Sequence, residues 1–268
     1  MGFCPDGRRT SRHFAILWAS LACGLLSFLP AVAETAPTMT PQALTADQIV
    51  NRMVEKNQER ASALEGYQGN RLYTLSYVGF PATLHADMTV SMTYKAPADK
   101  QFTVLSESGN KWIINHVFQR LIESEKEALD NDNRASTALN TDNYDFKLVS
   151  DEATADGCSY VLEVEPKVAN KFHYRGRIWV DSKDFAVCRI EAEPAKNPSF
   201  WIKKTEIHHV YEKVGNFWLP ADNKSVSNVR LGGTATLTIK YEDYKIMTAH
   251  ALNQADGERT SAMPIAGK

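Results

Sequence analysis

The sequence predicts a mainly β protein, an antiparallel meander of about eleven strands with helices covering one face of the sheet. Three observations lead there. From Tyr67 onward apolar and polar residues alternate with period two. The strand-like runs follow one another across short Gly/Asn/Asp/Lys turns, without the long crossovers that parallel strands need. Only two stretches show a helical period. Such a meander can close as a barrel, pair as a sandwich, or curve beneath a helical cover. The inward-facing set Met88, Val90, Met92 and Tyr94, with Phe172, Tyr174, Ile178 and Val180, favours the last, because methionine adapts to spaces of variable shape. A well-filled core would use the same residues.

The chain opens on an export signal. Arg8, Arg9 and Arg12 precede an uncharged apolar run from Phe14 to Leu29, and Ala31 and Ala33 are small enough for a signal peptidase, so residues 1–33 are expected to be removed. The run falls short of the roughly 20 apolar residues that a bilayer requires. Ser20-Leu21-Ala22-Cys23 resembles a lipobox, but Ser20 stands where that motif usually carries Leu, and the apolar run continues past Cys23. Residues 34–44 read as a Pro/Thr linker, 45–247 as the folded domain, and 248–268 as a flexible tail.

Within the domain, Thr45-Ala-Asp-Gln48 is a capping box for a helix carrying Ile49, Val50 and Met53, and Gly66 is its expected stop. In the clearest strand Ala86, Met88, Val90, Met92 and Tyr94 alternate with Asp87, Thr89, Ser91 and Thr93. Further strands are expected at 67–78, 100–107, 111–114, 144–151, 158–166, 172–181, 186–193, 200–213, 217–230 and 234–246. A second helix is expected over 115–129, where Val117, Phe118, Leu121 and Ile122 keep a helical period, and 130–143 reads as a polar loop.

Composition excludes several classes. Removing Arg8, Arg9, Arg12 and Asp6 from the 30 basic and 32 acidic side chains leaves 27 and 31, so no basic excess remains for nucleic acid. Hydrophobic residues make up 43% of the chain, which suits a globular domain with a real core. The sequence carries no GxSxG, no HExxH and no phosphate-binding glycine loop, and no cofactor or metal is implied. His208 and His209 are neighbours on a strand and so face opposite sides. Arg175, Arg177 and Trp179 share a strand face opposite Arg189, Glu191 and Glu193, which points to cross-strand ion pairing. Cys158 and Cys188 are the two cysteines beyond the signal. Their strands flank a third, about 9.6 Å apart, which exceeds the roughly 7 Å reach of a disulfide, so no bridge is expected.

Two stretches carry a family resemblance. One runs Met92-Thr-Tyr-Lys-Ala-Pro97, Lys100-Gln-Phe-Thr-Val104, the turn Ser108-Gly-Asn-Lys111 and Trp112-Ile-Ile114. The other is Tyr174-Arg-Gly-Arg-Ile-Trp-Val-Asp181, its hairpin partner Phe185-Ala-Val-Cys-Arg-Ile-Glu191, and Gly215-Asn-Phe-Trp-Leu-Pro220. Together they resemble the LolA/LolB superfamily of periplasmic lipoprotein carriers, in its branch of outer membrane lipoprotein-sorting proteins. The resemblance implies an incomplete β-barrel whose helices form a lid over an apolar cavity for acyl chains. It departs from the family at Ala96, where LolA-type carriers place an arginine before the proline to latch the lid; Lys95, one residue earlier, faces the other way.

The function that follows is a non-enzymatic periplasmic carrier or chaperone for lipids or lipoprotein acyl chains, working between donor and acceptor membrane proteins of a Gram-negative-type envelope. Met88, Val90, Met92, Tyr94, Phe102, Val104, Tyr174, Ile178 and Val180 are the cavity-wall candidates. Ile49, Val50, Met53, Phe118, Leu121 and Ile122 are the lid candidates. The alternative is a regulatory interaction module resembling the RseB/MucB envelope-stress regulators, which share the fold and append a second domain.

Overall fold

The computed structural model describes residues 43–151, 157–197, 199–230 and 232–247. The expected signal, Cys23, nearly all of the linker and the tail lie outside the described residues. Helix α1 (Ala46–Ala63) begins at the anticipated capping box, in which the Thr45 hydroxyl accepts from the Gln48 amide and the Gln48 side chain accepts from the Thr45 amide. It ends at Ala63, with Leu64 already extended. Gly66 is therefore not the stop. It is the first residue of β1 (Gly66–Val78), where an added Cβ would lie 2.5 Å from the Tyr94 carbonyl oxygen of the neighbouring strand.

The remaining strands are β2 (Leu84–Lys95), β3 (Asp99–Gly109), β4 (Tyr144–Ser150), β5 (Tyr160–Pro166), β6 (Tyr174–Val180), β7 (Val187–Pro194), β8 (Ile202–Val214), β9 (Phe217–Val229) and β10 (Thr234–Met247). They form one ten-stranded sheet in the order β3-β2-β1-β10-β9-β8-β7-β6-β5-β4, antiparallel at each junction between neighbours. The sheet is open, with β3 and β4 at its edges. Register shifts at Gln68/Asn70, Thr89/Val90 and Val210/Tyr211 are the bulges that let long strands bend.

One expected strand is a helix. Residues 111–114 start a helical run made of α2 (Lys111–Ile113), a π turn (Ile114–Phe118) and α3 (Gln119–Glu127). The Asn110 side chain accepts from the Ile113 amide, so it caps a helix where Gly109 ends the strand with φ at 85°. A short α4 (Asn131–Thr137) occupies part of the expected polar loop.

The helices press on one face of the sheet and build two filled clusters. Ile49, Val50 and Met53 of α1 pack on Tyr144, Leu162, Val164, Ile178 and Val180. Ile113, Ile114, Phe118 and Ile122 pack on Tyr73, Ala86, Met88 and Val90. A smaller cluster, Cys158, Val161, Trp179 and Cys188, holds a feature expected not to exist: Cys158 and Cys188 are joined by a disulfide, their Cα atoms 6.4 Å apart. The spacing argument applies to residues inside three paired strands. Cys158 precedes β5, and Cys188 is the unmatched residue where Trp179 faces Arg189 and Val180 faces Val187. Both thus stand at the end of β6, Cys158 beyond the last pairing of β5 with it and Cys188 in the bulge of β7.

Candidate functional site: a cavity beneath the helical lid

The covered face is assembled by strand parity. On β1 the inward residues Tyr67, Tyr73 and Leu75 are buried, and so are Ala86, Met88, Val90 and Met92 on β2. Toward the end of the sheet formed by the β1–β2 and β9–β10 turns, the helical run stands off from the strands. A cavity of about 770 Å³ opens there, walled by Leu75, Tyr77 and Leu84, by Ser225, Ser227, Val229, Ala235 and Leu237, and by Trp112, Ile113, Val117 and Leu121 of the lid. Trp201 and Ile202 complete it, with His116, Arg120 and Ser199 as further polar members. A second cavity of about 370 Å³ lies at the other end of the face, between Arg60, Ala61 and Leu64 and the sheet residues Tyr174, Ile190, Tyr211 and Leu219.

Between the two stands a buried polar layer. Arg71, on the inward phase of β1, is 3% exposed. Both of its terminal nitrogens donate to the Glu125 carboxylate of α3, Nη2 at 2.9 Å, and Lys100 Nζ reaches the same carboxylate at 2.6 Å. The guanidinium lies 5.3 Å from the Phe102 ring and 5.0 Å from the Tyr241 ring, a cation held between aromatic faces. Burial opposes ionisation of Glu125. The hydrogen bonds and charge of Arg71, reinforced by Lys100, outweigh it and hold the carboxyl at about 2. Burial likewise works against Arg71, yet Glu125 raises its pKa.

His209 closes the layer on β8, stacked 4.5 Å from Tyr211 and 6.3 Å from Tyr241. Its Nε2 is buried without a hydrogen-bond partner among the described residues, and burial drives its pKa down to about 4. His208 faces solvent on the opposite side, as strand alternation requires.

This layer joins lid to sheet. Leu121 and Glu125 are four residues apart on the helical run and so share a face. The first lines the cavity and the second is pinned to Arg71 and Lys100.

The structure distributes the sequence-selected residues as follows. Met88, Val90, Ile178 and Val180 are fully buried under helices, with Ile49, Val50, Met53, Phe118 and Ile122 as their counterparts across the interface, and Met92 is buried in a separate cluster with Tyr67 and Leu219. Tyr94 and Phe102 are partly buried. Val104, on the edge strand, is 41% exposed. Tyr174 reaches the smaller cavity and Leu121 the larger. Sequence reasoning missed Leu75, Tyr77, Leu237 and the Arg71–Glu125 pair. The signal for Arg71 was present: a charged residue on the same strand phase as Tyr73 and Leu75 is out of place unless paired. The expected ion pairing on the outer face is found at Arg175, 3.2 Å from Glu165 and 3.9 Å from Glu193.

No family model and no curated protein matches the chain. Among solved structures it is similar to a DUF1329 family protein from Desulfovibrio piger, at 12% identity over 77% of this chain and 95% of that one, with a TM-score of 0.41. It is also similar to an outer membrane lipoprotein-sorting protein domain from Vibrio parahaemolyticus, at 10% identity over 77% and 98%, with a TM-score of 0.36. A LolA superfamily protein from Nitrosomonas europaea follows at 12% identity over 77% and 95%, with a TM-score of 0.31.

Proposed function

We propose that the protein is a non-catalytic carrier that shields a lipid, or the acyl chains of a lipoprotein, from water, and that residues 1–33 export it to the periplasm. The larger cavity carries this reading. At about 770 Å³ it falls within the size range of small-molecule pockets. Its walls are mainly aliphatic and aromatic, so each methylene brought in from water contributes about 0.8 kcal/mol. The Arg71–Glu125–Lys100 cluster supports the same reading from the lid side, because it fixes α3 over the sheet by charge rather than by filling the space beneath Leu121. Donor and acceptor membrane proteins would supply and receive the cargo.

Titration with a fluorescent fatty-acid analogue tests the reading. Ser225→Trp places an indole in the cavity wall without burying a charge, and is expected to weaken binding about tenfold or more while the melting temperature stays near that of the wild type. Absence of saturable binding of any acyl probe by the folded wild type would overturn the carrier function. So would unaltered binding by folded Ser225→Trp.

A further inference from the structure

We infer that the end of the sheet where the larger cavity opens docks on the surface of an anionic lipid bilayer, through a rim formed by Phe80, Trp112, Phe200 and Trp201 with Arg120 and Arg230. These four are the exposed Phe and Trp side chains among the described residues, at 79%, 60%, 73% and 53% exposure, and all stand at this one end. They come from three separate places in the chain: the β1–β2 turn, the start of the helical run and the segment entering β8.

The rim is held in position. The Tyr77 hydroxyl lies 2.8 Å from the carbonyl oxygens of both Phe80 and Gly232, tying the β1–β2 turn to the β9–β10 turn. A Cβ on Gly79 would lie 2.6 Å from the Gly233 Cα, so the two turns touch backbone to backbone. The Arg230 amide donates to the Trp201 carbonyl at 2.8 Å, its Nε donates to the Phe200 carbonyl, and its guanidinium lies 4.9 Å from the Phe200 ring. Trp112 stacks on His116 at 5.3 Å. Trp112 and Trp201 also line the cavity, so the rim is continuous with its mouth.

The chemistry selects a bilayer over a protein surface. Indole and phenyl rings beside arginines are the side chains that settle at the level of lipid headgroups, with rings among the upper methylenes and guanidinium groups on phosphate. Arg230 has no carboxylate partner among the described residues, and Arg120 is 81% exposed with only a surface contact to Glu123 at 3.5 Å. Four rings exposed to this degree offer roughly 500 Å². That is below the roughly 800 Å² per side of a stable protein interface, whereas a bilayer requires no complementary shape. The proposal rests on the carrier reading for its purpose, the transfer of acyl chains without crossing water, but not for its test.

Flotation of the mature protein with vesicles of phosphatidylcholine, and of phosphatidylcholine mixed with phosphatidylglycerol, tests it. The mixed vesicles are expected to carry the protein, and brominated lipids to quench the emission of Trp112 and Trp201. The double substitution Phe200→Ser/Trp201→Ser is expected to lower partitioning at least about tenfold, and Arg230→Gln to lower it on anionic vesicles alone. Each variant should keep the melting temperature of the wild type. Phe80→Ser, outside the cavity, gives the same comparison free of any effect on the ligand. No flotation with either vesicle overturns the proposal, even if the rim captures an envelope protein. Wild-type partitioning by the folded double variant and by Phe80→Ser overturns it as well. Acyl-probe binding without flotation sinks docking alone; flotation without acyl-probe binding sinks the carrier reading alone.

Discussion

Arg71 and Glu125 come from positions 54 apart in the chain and meet where water is scarce, so each depends on the other for solvation. Removing Glu125 leaves the Arg71 guanidinium as an uncompensated buried charge, which costs about 3–5 kcal/mol; replacing both with apolar residues costs less. Urea denaturation should therefore find Glu125→Leu strongly destabilised and Arg71→Met/Glu125→Leu closer to the wild type. An additive double variant would mean that the two charges are not coupled. The same layer sets the response to acid. Folded Glu125, held at about 2, contributes stability that is complete above its ordinary value near 4.5 and is lost as pH falls through 2. His209 acts higher. Its folded value of about 4 lies below the usual 6.5, so the unfolded chain takes up a proton that the folded one refuses, and stability falls as pH drops from 6.5 toward 4. Between pH 7 and 5 the wild type should lose about 1–2 kcal/mol through His209. His209→Phe should flatten that part of the profile, and an unchanged slope would place the titrating group elsewhere.

The helical run and the disulfide mark where element-level reading succeeded and where it stopped. Alternation is local, so the strands were legible from residues such as Met88, Val90 and Met92 before any partner was known. At Lys111-Trp-Ile-Ile114 the local signal misled, because two isoleucines beside a tryptophan suit a strand as well as a buried helical turn. The cap from Asn110 decided between them. The cysteines posed a different problem. Both fell on the apolar phase of their strands, but whether they meet depends on a bulge at Cys188 and on where β6 ends, neither of which a pattern of side chains encodes. The bridge spans 30 residues of sequence, a loop whose closure stabilises by about 3–4 kcal/mol in the chain-entropy account. Thiol titration of the unfolded, unreduced mature chain should find no free thiol, and Cys158→Ser/Cys188→Ser should lower the denaturation midpoint. Two free thiols would contradict the pairing.

For the whole molecule, the sheet order was only partly legible. Hairpin neighbours follow from sequence adjacency, but the β1–β10 pairing joins the two ends of the domain and is fixed by which apolar faces must be buried together. Because β3 and β4 are the two edges, the helices between them form a strap across the covered face, attached at both borders of the sheet. The β1–β10 ladder has one more consequence. Gly66 faces Met247 at one end and Val78 faces Thr234 at the other, next to the aromatic rim. Thirteen residues of strand separate these poles by roughly 40 Å. A molecule attached at Met247, the last residue of β10, is thus anchored at the pole away from its mouth, which faces outward like a cup fixed by its base. Immobilised that way it should capture vesicles as well as it does free in solution, whereas attachment through the β1–β2 turn should abolish capture.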